Sequence, residues 1–161
     1  MSIKTAKVAG RRVLKFQSLD EMLADAEQIT SGPVRCMGNW SAGQILKHLA
    51  IAVESAITGV DYTHPWYIRL TARLMKRHFL NCTMEPGFQM PQAMKAEFMP
   101  PDDVSIGDGL SALRQSVTRF RAATELAPSK IFGQMTRDEA EKFQLRHAEM
   151  HLSFLVPDGS A

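Results

Sequence analysis

Apolar positions recur at intervals of three and four residues through most of the chain, and the helices they predict have legible starts. Leu19, Met22, Leu23, Ala26 and Ile29 follow helical spacing. They come behind "SLDE" (Ser18 to Glu21), which has the capping-box form in which Ser18 and Glu21 satisfy each other's backbone N–H groups. This first helix ends near "TSGP" at 30–33. "SAGQ" (Ser41 to Gln44) opens a second, with Ile45, Leu49, Ala52 and Ala56 on one face and a stop around Gly59. A third segment, from about Pro65 to Leu80, carries Trp66, Leu70, Leu74 and Phe79 opposite Arg69, Arg73, Lys76 and Arg77. A fourth helix begins near Ser105 with Leu110, Leu113, Val117 and Phe120 in register. "TRDE" (Thr136 to Glu139) caps the fifth, which Pro157 terminates.

Residues 81–104 break the pattern with Pro86, Pro91, Pro100 and Pro101. A structureless loop of that length is uncommon in a compact domain. The segment therefore reads as a proline-rich crossover with short turns, or a lid, and Met84, Met90, Met94 and Met99 predict that it packs back on an apolar surface. Only "RRVLKF" at 11–16 offers a candidate strand. The expected fold class is all-α, a helical bundle.

Composition narrows this picture without redirecting it. A chain of 161 residues is most simply one domain, 1–161, with a sizeable core. Apolar residues at 45% and charged residues at 22% exclude wholesale disorder. A net charge of +2 gives no argument for nucleic acid. Residues 1–17 form a basic N-terminal arm (Lys4, Lys7, Arg11, Arg12, Lys15) with no apolar stretch after it, so neither a secretory signal nor a membrane span is expected. The basic face of 69–77 reads as solvated, although such faces also meet anionic membranes or acidic partners. Cys36 and Cys82 lack C-x-x-C spacing, which excludes a disulfide framework and makes a reducing cytoplasm the natural setting.

Candidate chemistry sits in "QLRHAEMHLSF" at 144–154. At about 100° per residue, His147 and His151 fall in the stripe of Ala140, Phe143 and Phe154, with Glu139, Lys142, Arg146 and Glu149 on the other side. Two imidazoles one turn apart can reach one ion. They equally fit buried histidines hydrogen-bonded within a core. A borderline ion such as zinc or nickel needs a third protein ligand, plus an open position if it is to do chemistry. His48, at the margin of the core-facing stripe of the second helix, supplies it if the two helices are neighbours. His64, beside Pro65, and His78, beside the basic face, read as surface or loop residues. The chain has no G-x-S-x-G elbow, P-loop or dinucleotide fingerprint.

"GNWSAGQILKHLA" at 38–50 resembles the second-helix signature of the DinB/YfiT-like superfamily, and "RHAEMHLSFLVP" at 146–157 resembles its last-helix H-x-x-x-H. "RRVLKFQSLDEMLAD", "EPGF" and "IFGQMTRDE" are similar to stretches of an uncharacterised bacterial domain-of-unknown-function family within it. The resemblance implies an up-down-down-up four-helix bundle with an added helix and the proline-rich crossover. It implies His48, His147 and His151 as ligands of a divalent metal. It also implies a thiol-dependent S-transferase or hydrolase that uses metal-activated thiolate or water on a small-molecule substrate, with a low-molecular-weight thiol as partner. Gln44, one turn before His48, and Gln144, just before His147, are placed to orient a ligand or water. The alternative is non-catalytic: a homodimerising or ligand-binding module whose metal is structural or absent.

Overall fold

A computed structural model describes residues 3–87 and 91–159. Met90 of the crossover and Phe88 of the "EPGF" turn lie outside the described residues. The elements run α1 (Leu19–Thr30), β1 (Val34–Cys36), α2 (Ala42–Thr58), α3 (Trp66–Leu74), α4 (Lys76–Asn81), α5 (Gln92–Phe98), α6 (Ile106–Ala122), α7 (Arg137–Leu152) and β2 (Leu155–Pro157). A single 3-10 turn, Thr5–Lys7, precedes them. The fold is mostly helical, and the small sheet is the departure from an all-α expectation. No helix among the described residues is long and apolar enough to cross a membrane.

The four long helices share one core. α2 lies along α6 and also touches α7, while α1 packs against both α6 and α7. Leu19, Met22, Leu46, Leu49, Leu113, Val117, Leu145 and Leu152 fill the space between them, all buried. Local chemistry starts each helix as its sequence dictates. Ser41 with Gln44 and Thr136 with Glu139 form complete capping boxes. Ser18 accepts the Glu21 N–H at 3.2 Å, but the Glu21 carboxylate takes the N–H of Gln17 at 2.7 Å instead of that of Ser18. Gly59, at φ 80°, ends α2 in a conformation few other residues adopt.

The close approach of α2 and α6 rests on glycine. A Cβ on Gly109 would stand 2.8 Å from both the Gly43 carbonyl oxygen and the Leu46 Cβ. Gly109→Ala is therefore expected to force the helices apart and cost about 1–3 kcal/mol, measurable as a lower midpoint in urea unfolding.

Four sequence expectations are corrected by tertiary packing. Residues 11–16 form no strand. They run as an extended arm clamped by Arg12, whose guanidinium grips Asp25 bidentately (2.7 and 2.8 Å) and donates to the carbonyls of Leu155 and Leu152. The strands are β1 and β2, antiparallel, with Val34 opposite Pro157 and Cys36 opposite Leu155. α7 accordingly stops at Leu152 rather than at Pro157, because the chain must turn to reach β1. The third segment is two helices, divided at Met75. Several of its apolar side chains are not covered, Trp66 being 74% exposed and Leu74 79%, whereas Ala72 and Leu80 are buried and Phe79 packs against Phe132. Its basic face is not simply solvated, since Lys76 pairs with Glu139 at 2.7 Å.

The fourth correction concerns α7. Arg146 and Glu149, expected on a polar face, are buried. They pair at 2.6 Å and clamp the arm: Glu149 Oε1 accepts the Phe16 N–H and Arg146 donates to the Phe16 carbonyl, each at 2.6 Å. The arm covers a face that periodicity alone assigns to solvent.

Candidate metal centre

α2 and α7 are neighbours, and this contact brings together side chains 99 positions apart in sequence. His48 Nε2 lies 3.3 Å from His147 Nε2, and His151 Nε2 lies 3.0 Å from the same atom. The coordinating nitrogens of all three fall within 4.8 Å of one another, and no other His, Cys, Asp or Glu among the described residues joins the group. His48 is buried, whereas His147 and His151 are partly open. All three line a cavity of about 900 Å³.

Neighbouring rings fix the imidazoles. Trp40 stacks on His151 (centroids 5.5 Å apart, planes at 9°) and tilts against His48 at 4.8 Å. Phe143 stacks on His147. His48 Nδ1 lies 2.8 Å from the Phe98 carbonyl at the end of α5. A carbonyl only accepts, so Nδ1 carries the proton and Nε2 presents a lone pair toward the other histidines. His147 Nδ1 is buried and finds no hydrogen-bond partner among the described residues.

Burial holds every member of the cluster in its neutral form. It is the first cause for His147, lowered to about 3, with repulsion from His48 adding to it. Burial also leads for His151, held well below 6.5, followed by repulsion from His147 and His48. For His48 burial again lowers the pKa, opposed by the bond to Phe98, which favours the charged ring.

The sign of the pH dependence follows. Above about pH 6.5 the folded and unfolded states both carry neutral histidines. Below it the unfolded chain binds protons that the cluster refuses, so stability falls as pH drops from about 6.5 toward the folded pKa values. Chelator-treated protein should lose stability across that window at up to about 1.4 kcal/mol per pH unit per histidine. Unfolding followed at stepped pH should show a shallower slope for His151→Ala.

Three electron-rich nitrogens turned toward one point suit a cation. Ligands about 2.0–2.1 Å from a tetrahedral zinc ion sit roughly 3.3 Å from each other, close to the 3.3 and 3.0 Å that separate His147 from His48 and His151, which themselves lie within 4.8 Å of each other. Neutral imidazoles suit zinc or nickel, and three protein ligands leave one position for something else.

The two glutamines are placed differently. Gln144 lines the cavity, and its amide nitrogen donates to the Ala52 carbonyl at 3.1 Å. The Gln44 side chain completes the α2 capping box and donates to the Pro101 carbonyl at 3.3 Å, pinning the crossover. Met84, Met94 and Met99 of the crossover line the cavity, as their apolar character predicts. His64 and His78, expected outside any site, also line it, and His78 Nδ1 lies 3.4 Å from Cys82 Sγ. The sequence placed Phe143 on the histidine stripe and Trp40 in the helix-start signature without a role for either ring, and did not single out Phe98. Trp40, next to the Ser41 cap of the helix that carries His48, had the clearest available signal.

Fold and site together define a mostly helical domain with a three-histidine cluster at the wall of an apolar cavity. The chain belongs to the family described as "Protein of unknown function (DUF1569)", whose profile matches residues 8–158. No match was found among curated proteins or among solved structures.

Proposed function

We propose that this protein is a divalent-metal-dependent enzyme, a transferase or hydrolase, in which His48, His147 and His151 hold zinc or nickel. The observation that carries the reading is the convergence of three neutral imidazoles at 3.0 and 3.3 Å on the wall of a cavity. An ion held there supplies Lewis acidity and lowers the pKa of a thiol or water that reaches it. The chain's own residues prepare the place. Phe98 sets the His48 tautomer, Trp40 and Phe143 hold the rings, and Gln144, its nitrogen spent on Ala52, has its oxygen left to orient an incoming donor. The shared core of α1, α2, α6 and α7 supports the finer reading of an up-down-down-up DinB/YfiT-like bundle, with α3, α4 and α5 as additions. A small molecule, with a low-molecular-weight thiol as one candidate, would occupy the open position. Two free cysteines fit a cytoplasmic setting.

Elemental analysis of untagged protein, purified without added metal and again after reconstitution, tests the proposal. Stoichiometric zinc or nickel is expected, and none in either preparation overturns it. A non-catalytic reading is favoured by one observation: among the described residues no carboxylate joins the cluster to act as general base. In that case the exposed apolar side chains of α3 are where a second copy would dock, and sedimentation would show a dimer.

A further inference from the structure

The cavity says more about its occupant than the histidines do. At about 900 Å³ it is at the large end for a small-molecule site. Phe79, Met94, Leu126, Phe132, Phe143 and Met150 contribute to its walls. Among the described residues that line it, only Lys130 and Glu85 are formally charged, and both are exposed. Several of the polar lining residues are turned away from an occupant. Ser55 Oγ donates to the Ala52 carbonyl, Ser129 Oγ accepts the N–H groups of Ile131 and Phe132, and the Asn39 side chain is held by the Ile3 backbone. The histidine cluster is where buried polar atoms still converge.

From this we infer that the cavity takes an apolar compound, an acyl or alkyl chain with one polar head, and that the head sits at His48, His147 and His151. The inference rests on the metal reading for the head alone. A highly charged thiol filling the whole cavity would leave its charges among apolar side chains, and burying an unpaired charge is costly. An alkyl chain meets no such penalty, and it gains free energy with every methylene that leaves water. The methionines point the same way. Met84, Met94, Met99, Met135 and Met150 all reach the cavity, and unbranched thioether side chains repack readily around apolar ligands of differing shape.

The test is a titration series read by calorimetry on full-length protein, metal-loaded and chelator-treated. The probes are acetohydroxamic acid, its six- and eight-carbon homologues, and the matched primary alcohols. Affinity should rise about three- to fourfold per methylene, making the eight-carbon hydroxamate at least about 100-fold tighter than the two-carbon one. The same chain-length slope should persist for the alcohols and in metal-free protein. A flat slope overturns the inference, even where acetohydroxamic acid binds the loaded protein. If hydroxamates and alcohols bind alike with and without metal while the slope survives, the metal reading fails and the apolar cavity stands. Leu126→Glu should weaken the eight-carbon probe by more than about tenfold and leave acetohydroxamic acid unchanged. Equal loss of both probes would mean that the variant is misfolded, and the wild-type slope then decides.

Discussion

His147→Ala is expected to abolish stoichiometric zinc or nickel binding while the protein stays folded. His147 stands between the other two histidines, with its Nε2 3.3 Å from that of His48 and 3.0 Å from that of His151. Residues that only orient a metal ligand contribute roughly 10–100-fold to affinity. Removing a ligand, and the middle one, should exceed that, so a loss beyond about 100-fold is predicted in competition with a chromophoric chelator. The fold should change little, within about 2 kcal/mol, because the lost ring faces a cavity already there and a core of leucines holds the helices. His78→Ala is the control. It removes a cavity-lining histidine that lies outside the cluster, and metal binding should be unaffected. Unfolding of His147→Ala would instead make the cluster a structural element, and unchanged metal content would remove it from the metal site.

Glu149→Ala should have the largest effect on stability. The side chains of Glu149 and Arg146 are 1% and 7% exposed, and the pair is the clamp that receives Phe16. Removing the carboxylate leaves Arg146 buried without its partner, at a cost of about 3–5 kcal/mol. For a chain of this size that is a fall in melting temperature on the order of 10 °C, read by differential scanning fluorimetry. Limited proteolysis should also cut within residues 3–17 earlier than in wild type. Glu149→Gln refines the assignment, because its amide oxygen can still accept the Phe16 N–H. If Gln restores the arm's protection without restoring stability, the ion pair and the backbone clamp are separable. Equal stability of wild type and Glu149→Ala would refute the clamp.

The parts of this molecule governed by neighbours in sequence were legible in it. Ser18, Ser41, Ser105 and Thr136 all cap helices, because a hydroxyl reaching the backbone N–H three residues on is a local event. His147 and His151 could be paired for the same reason, being one turn apart. Whatever depended on distant chain was not legible. β1 and β2 pair across more than a hundred residues, so no local alternation announces them. Arg146 and Glu149 carry polar-face periodicity, and only the arm, 130 or more positions away, makes their face interior. The break at Met75 occurs without proline or glycine. α5 is a middle case. Its residues are mostly good helix formers between Pro91 and Pro100, and the surrounding prolines masked it. Convergence of His48 with the other two lay between these extremes, since helical phase allowed it and only the packing of α2 against α7 made it so.

The bond from His48 Nδ1 to the Phe98 carbonyl ties one histidine of the cluster to the far end of the crossover. Gln44 anchors the same segment a little further on, at Pro101. Any unseating of the crossover would thus release the His48 tautomer with it. If only a fraction of molecules hold α5 in place, the apparent affinity for an ion is reduced by that fraction. By thermodynamic reciprocity, an ion that preferred this tautomer would in turn favour the seated crossover. A chain segment that adds no side chain to the histidine cluster would thereby share control of any ion affinity the cluster has.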